Sequence, residues 1–263
     1  MPDAQTDGQP VEPDFGMLAN AQMLDRGPRY TETPPDPYAP DAPLIAEPWN
    51  MVTASFFVFI ALSWLVRLRG RYRAFPFLMT CLPILFVGGV GGTLYHGLRT
   101  RQLYFFLDVI PISLLVLAGT VYLAMKLWRG ASWKFLLVAV VLNLGINRLL
   151  FNLVLPQNRQ LAINLNYATL AVMVVLPMVF VLIRLRFRYL GLVVASLISF
   201  GIAWVFRLVD QYMGVYMQMG SHWLWHTFGA ISTALLIEFF YRVERDGLET
   251  ATPQGAERNI HVE

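Results

Sequence analysis

The chain has 263 residues, of which 56% are hydrophobic and 14% charged, against about 45–50% and about 25% in ordinary soluble domains, an apolar excess that excludes a water-soluble globule. The formal net charge of +3 is modest and its basic residues lie in short clusters between apolar runs, which argues against nucleic acid as a partner. A single cysteine, Cys81, excludes an intrachain disulfide and a cysteine metal site, so any metal must use histidine and carboxylate.

Residues 1–46 are rich in Pro, Asp and Gly, and their acids outnumber Arg26 and Arg29. They read as a largely disordered leader, of which the last stretch, PPDPYAPDAPLIAEPWN, is the part suited to order against a helix bundle. The N-terminus lacks the charged, apolar and cleavage regions of a signal peptide. Seven apolar segments come next, at roughly 49–66, 75–95, 104–127, 133–153, 161–183, 189–209 and 221–241, each near the ~20 residues that cross a bilayer. They predict an all-α, polytopic membrane protein: a seven-helix transmembrane bundle over 47–242, then a polar cytoplasmic tail over 243–263. There is no internal repeat.

Lys and Arg concentrate in alternate connections. Arg67, Arg69, Arg71 and Arg73 follow segment one; Lys126, Arg129 and Lys134 follow segment three; Arg184, Arg186 and Arg188 follow segment five; Arg242 and Arg245 follow segment seven. By the positive-inside rule these connections share the cytoplasmic side, giving N-out and C-in. Short loops and the missing signal peptide suit a bacterial inner membrane.

This orientation assigns each intramembrane polar group a depth. His96, Asp108, Asp210, His222 and His226 all fall in the outer leaflet, as do Asn147, Arg148, Asn152, Asn164 and Asn166. Ionisable groups at such depth normally face the bundle interior and pair. The asparagines read as interhelical hydrogen-bond glue. His222 and His226, four apart, share one helix face within ~5–6 Å; His96 offers a third nitrogen, and three protein ligands are the usual catalytic zinc set. Asp108 then accepts the proton of an attacking water, or alternatively pairs with Arg99, Arg101 or Arg148. Asp210 lies three residues after Arg207, a spacing for a local ion pair, and Glu238 is interfacial. With Lys126 and Lys134 as the only lysines, segment seven has none for a retinal Schiff base.

In this order, IAEPWN (Ile45 to Asn50), GGVGGTLYH ending at His96, FFLDVIP around Asp108, AWVFRLVDQ and SHWLWHTFGAIST resemble the alkaline ceramidase family, seven-helix membrane hydrolases related to the adiponectin and progestin receptors. The resemblance covers residues from about 45 to 240. It implies a zinc-dependent amidohydrolase that cleaves the amide bond of ceramide or a related N-acyl lipid, with His96, His222 and His226 as zinc ligands and Asp108 as the catalytic acid-base. Asp210 matches the family's sixth-helix aspartate, with Arg207 and Arg148 as supporting polar groups. Glu47 matches a calcium-ligand position, with Asp36 or Asp41 as companions. The family's serine four residues before the second-helix histidine is Gly92 here, which predicts reduced or redirected activity. The alternative is a catalytically weak or inactive zinc-containing lipid receptor.

Overall fold

A computed structural model of the chain describes residues 23–128, 133–153 and 159–246. The first 22 residues of the expected leader and the tail from residue 247 lie outside the described residues. Among the described residues the structure is helical and contains no strand: α1 (Pro48–Ala54), α2 (Phe56–Arg67), α3 (Pro76–Leu98), α4 (Gln102–Leu127), α5 (Trp133–Leu153), α6 (Arg159–Arg184), α7 (Leu190–Val209) and α8 (His222–Asp246), with short 3-10 turns at Tyr72–Ala74 and Asp210–Val215. Five stretches are long and apolar enough to cross a membrane: Pro48–Arg67, formed by α1 and α2 together, Pro76–Leu98, Gln102–Leu127, Leu161–Arg184 and Leu190–Val215. This is the composition of a membrane protein. The α8 helix is long enough as well, but His222, His226 and Glu238 dilute its apolar density.

Chain chemistry sets several helix ends. Proline occupies the first turn of α1 and of α3, where a missing N–H costs nothing. The α3 N-terminus is also capped from a distance, because the Glu244 carboxylate accepts Phe77 N at 2.8 Å and Leu78 N at 3.2 Å. At its other end α3 stops at Arg99, which takes a left-handed conformation with φ 51°.

The α3 helix is central, packed by α1, α2 and α4, while α7 lies along α8. Two glycines let α3 approach its neighbours to backbone contact. A Cβ on Gly89 would lie 2.7 Å from Val58 N, and one on Gly91 would lie 2.5 Å from the Leu107 carbonyl carbon. Such small-residue contacts are how helices pack tightly where lipid and side chain are equally apolar. One end of the bundle is closed by Arg67, whose Nη1 meets Glu238 at 2.6 Å, and by Arg242, whose Nε meets the same carboxylate at 2.7 Å; Glu238 is thus paired at that rim. Below it Leu68, Leu82, Leu123, Phe239 and Val243 are fully buried.

The opposite end carries a correction to the expected leader. Residues 23–33 are not a free tail: Met23, Asp25, Tyr30 and Thr33 are buried, and Thr31 N donates to Asp210 at 3.0 Å across the bundle. Low apolar content hid this, because the segment is held by hydrogen bonds and ion pairs and not by a hydrophobic face.

Replacing Gly89 or Gly91 by alanine is expected to cost about 1–3 kcal/mol through overpacking against backbone. Gly201→Ala, where a Cβ meets nothing within 4 Å, is expected to be neutral. Thermal unfolding in detergent checks the contrast, and equal melting temperatures for all three variants would contradict the packing described.

Candidate metal centre

Three histidines from two helices meet at the leader end of the bundle. His96 comes from the last turn of α3, His222 and His226 from the first two turns of α8, and each is at most 4% exposed. One ring nitrogen from each lies within 4.8 Å of the others, and His96 Nε2 stands 3.1 Å from His226 Nε2. Nitrogens around a tetrahedral zinc with bonds of about 2.0–2.1 Å stand about 3.3 Å apart, so the set fits an ion of that size. His222 Nδ1 is buried without a hydrogen-bond partner. The three can hold a metal ion, and neutral imidazoles are compatible with zinc among other divalent metals.

Carboxylates fix both helices that bring these rings. Glu47 Oε2 binds His96 Nδ1 at 2.5 Å, leaving Nε2 for the centre; this carboxylate–histidine pairing sets tautomer and ring orientation in metal sites. Asp210 acts on α8 through the backbone: its Oδ1 accepts Ser221 N at 2.7 Å and His222 N at 2.9 Å. Gly220, at φ 63°, makes the turn, and a side chain there would meet Asp210 Oδ1 at 2.5 Å. The expected Arg207–Asp210 ion pair is therefore replaced by helix capping. Arg207 points elsewhere, its Nε donating to Asn164 Oδ1 at 3.1 Å and its guanidinium lying over the Tyr167 and Trp225 rings.

Glu47 is the N-terminal neighbour of α1 and is fully enclosed. Besides His96 it accepts from Thr33 Oγ1 and Arg99 Nη1, each at 2.5 Å, and from Asn50 Nδ2 at 3.1 Å. Burial alone would push its carboxyl up; the Arg99 guanidinium, then His96 and Thr33, overturn this and hold it down at about 2. It stays ionised at any physiological pH. Arg99 in turn binds Asp25 through Nε at 2.7 Å and the Pro28 carbonyl through Nη2 at 2.9 Å.

This network corrects the calcium expectation. Both Glu47 oxygens are taken, and a guanidinium stands where a cation would. Asp36, which accepts Tyr38 N at 3.0 Å, and Asp41 are exposed and are not among its partners. Arg148 is likewise not a supporting group: it is exposed on α5, and no described α5 residue lines the cavity below the histidines.

Asp108 does reach the site. It lines the same cavity as His222, His226 and Arg207, and among the described residues no Arg or Lys pairs with it within 4.0 Å. Its position explains Gly92, because a Cβ there would lie 2.6 Å from Asp108 Oδ1: the carboxylate fills space that a side chain would take. The cavity measures about 250 Å³ and its other walls are almost wholly apolar, including Phe57, Leu85, Leu115, Val174 and Phe200. Along α8 it extends from His222 to Phe240, about 27 Å at 1.5 Å per residue.

Sequence reasoning assigns three participants no part in this support, and offers Arg99 only as a partner of Asp108. Asp25 and Arg99 complete the support of Glu47, and Tyr30 covers the centre, its ring stacked on His222 with centroids 3.8 Å apart and standing 5.3 Å from His96. Only Arg99, three residues beyond His96, carried a positional signal. Compared with models of protein families and with the sequences of characterised proteins, the chain matches none.

Elemental analysis of the purified protein is expected to find about one divalent metal per chain, absent from a His222→Ala, His226→Ala double variant. Glu47→Gln, which removes the charge orienting His96, is expected to weaken metal binding by about 10- to 100-fold. Competition with a chelating dye measures this, and unchanged affinity would remove Glu47 from the metal's support.

Proposed function

We propose that the protein is a membrane-embedded, zinc-dependent hydrolase that cleaves the amide bond of ceramide or a related N-acyl lipid. The observation that carries this is a cluster of three buried histidines, two of which, His222 and His226, line one end of a long apolar cavity together with Asp108. Lipid chains need such a cavity, and hydrolysis needs the polar groups where the carbonyl would stop. The chain-order likeness of the His96, Asp108 and SHWLWHTF segments to alkaline ceramidases supports the same reading.

His96, His222 and His226 would hold the ion, which in such sites polarises a carbonyl and makes water a nucleophile near neutral pH. The remaining chemistry falls to the chain. The apolar walls hold the acyl chain and exclude water from it. Asp108 takes the proton of the attacking water as the new C–O bond forms, and returns it to the nitrogen as the C–N bond breaks. The products are a fatty acid and an amine, and the second proton of the water passes from the acid to the amine to leave carboxylate and ammonium. Glu47 holds His96 in the tautomer with Nε2 free, and Tyr30 shields His222 from the leader side.

His226→Ala is expected to reduce release of fatty acid from ceramide to background, and Asp108→Asn to reduce it by about 10²–10⁴-fold. Wild-type turnover in His226→Ala would sink the reading. Gly92, in place of the family's serine, favours a second one, a lipid receptor with weak or no turnover; saturable binding of ceramide without hydrolysis by the zinc-loaded wild type would establish it.

We further read the chain as seven spans with the leader outside and the C-terminus in the cytoplasm of a bacterial inner membrane. The alternation of basic connections supports this, as does the separation of the Arg67, Arg242 and Glu238 rim from the leader-capped end. A C-terminal fluorescent fusion that matures only in the cytoplasm is expected to light up. A dark fusion, with an active periplasmic phosphatase at the same position, would reverse the topology.

A further inference from the structure

Arg207 is the polar group at the metal centre that the proposed reaction leaves unused. It is 4% exposed, sits in the last turn of α7 and lines the apolar cavity beside His222 and His226. A guanidinium inside a membrane bundle is costly and marks a functional site by default. Among the described residues no carboxylate lies within ion-pair distance of it, in contrast to Arg99, which has two. Its Nε is bound by Asn164 Oδ1 at 3.1 Å, and the Tyr167 and Trp225 rings lie 4.9 and 5.2 Å from its central carbon. The Tyr30 hydroxyl is a further polar neighbour. These contacts fix the plane of the fork, and none of them is an ion pair: Asp108 shares the cavity and its charge acts on Arg207 from a distance, but no carboxylate closes on the fork, which stays open to a ligand.

We infer that Arg207 is the seat of a long-chain carboxylate: an alkyl chain occupies the apolar cavity and its carboxylate binds the guanidinium at the histidine end. The inference rests on the proposed hydrolase reading for the origin of that acid, because amide cleavage leaves a carboxylate on the chain at this depth. Arg recognises carboxylates by paired, charge-assisted hydrogen bonds. The same group is placed to accept the negative charge that develops on the acyl oxygen as water adds. Asp108, in the same cavity, is a like charge to the incoming carboxylate, so acid held by Arg207 is disfavoured from resting at Asp108.

The test compares palmitate with methyl palmitate, which differ only in the charge at the head. Chelator-stripped protein in nanodiscs, at alkaline pH, is expected to bind palmitate at least about tenfold more tightly. Arg207→Gln is expected to abolish that preference while methyl palmitate still binds as in wild type, which also reports an intact cavity. Arg207→Lys keeps the charge and is expected to retain part of the preference. Equal binding of acid and ester by wild type would overturn the inference without any variant, as would an undiminished acid preference in Arg207→Gln. Labelled acid retained by metal-loaded protein after ceramide turnover identifies the product as the source, whereas binding of added palmitate alone identifies the membrane pool. Acid preference without any turnover leaves the seat standing and sinks the hydrolase; turnover without acid preference does the reverse.

Discussion

The fully buried guanidinium of Arg99 joins every part of the centre. It binds Asp25 from the leader and Glu47 from the start of α1, and it belongs to the residue that ends α3, one turn from His96. Placing three charges out of water costs several kcal/mol per ion, and the arrangement holds only because almost every donor and acceptor is met. Burial alone would lower the arginine's pKa, but Tyr95, Glu47 and Asp25 hold it raised well above its ordinary value. Losing either acid would leave a charge uncompensated, a change worth about 3–5 kcal/mol in comparable buried pairs. Because Glu47 also binds His96, any such loss reaches the histidine cluster.

That constraint explains why a proline-rich leader is part of the fold. The leader has little apolar surface to bury beyond Met23 and the Tyr30 ring, and its docking is mainly polar: Asp25 to Arg99, Thr33 to Glu47, and Thr31 to both the side chain and the carbonyl of Asp210. Glu32 adds a cap for α1 by accepting Trp49 N at 2.7 Å and Asn50 N at 2.9 Å. Negative charge at the starts of α1 and α8 also suits their helix dipoles. Each histidine-bearing helix is thus fixed by one carboxylate, Glu47 through a side chain and Asp210 through backbone, and the leader locks both.

The helical elements were legible because apolar runs of membrane length have few competing interpretations, and all seven expected segments coincide with helix. The histidine triad was legible for a similar reason, since His222 and His226 share a face by spacing alone. What failed was pairing. Arg207 and Asp210 are three residues apart, yet the chain leaves α7 between them into a 3-10 turn, which sends the carboxylate to the α8 backbone and the guanidinium to Asn164. Glu47 carries an acid in a position where the family likeness suggests a cation, and the cation is an arginine 52 residues away. Side-chain partners across such separations depend on how helix ends meet, which no periodicity encodes.

Formal charge around the histidines gives the network a direction. Among the described residues Arg99 pairs with Asp25 and Glu47, Asp210 accepts from the α8 backbone, and these three acids are buried to 4% exposure or less. A divalent ion held by His96, His222 and His226 would add positive charge beside Glu47 and Asp210, in a medium where charges are poorly screened. The acids that position the histidines would therefore also favour a cation bound by them, which would tie the leader's docking to metal occupancy through charge as well as through geometry.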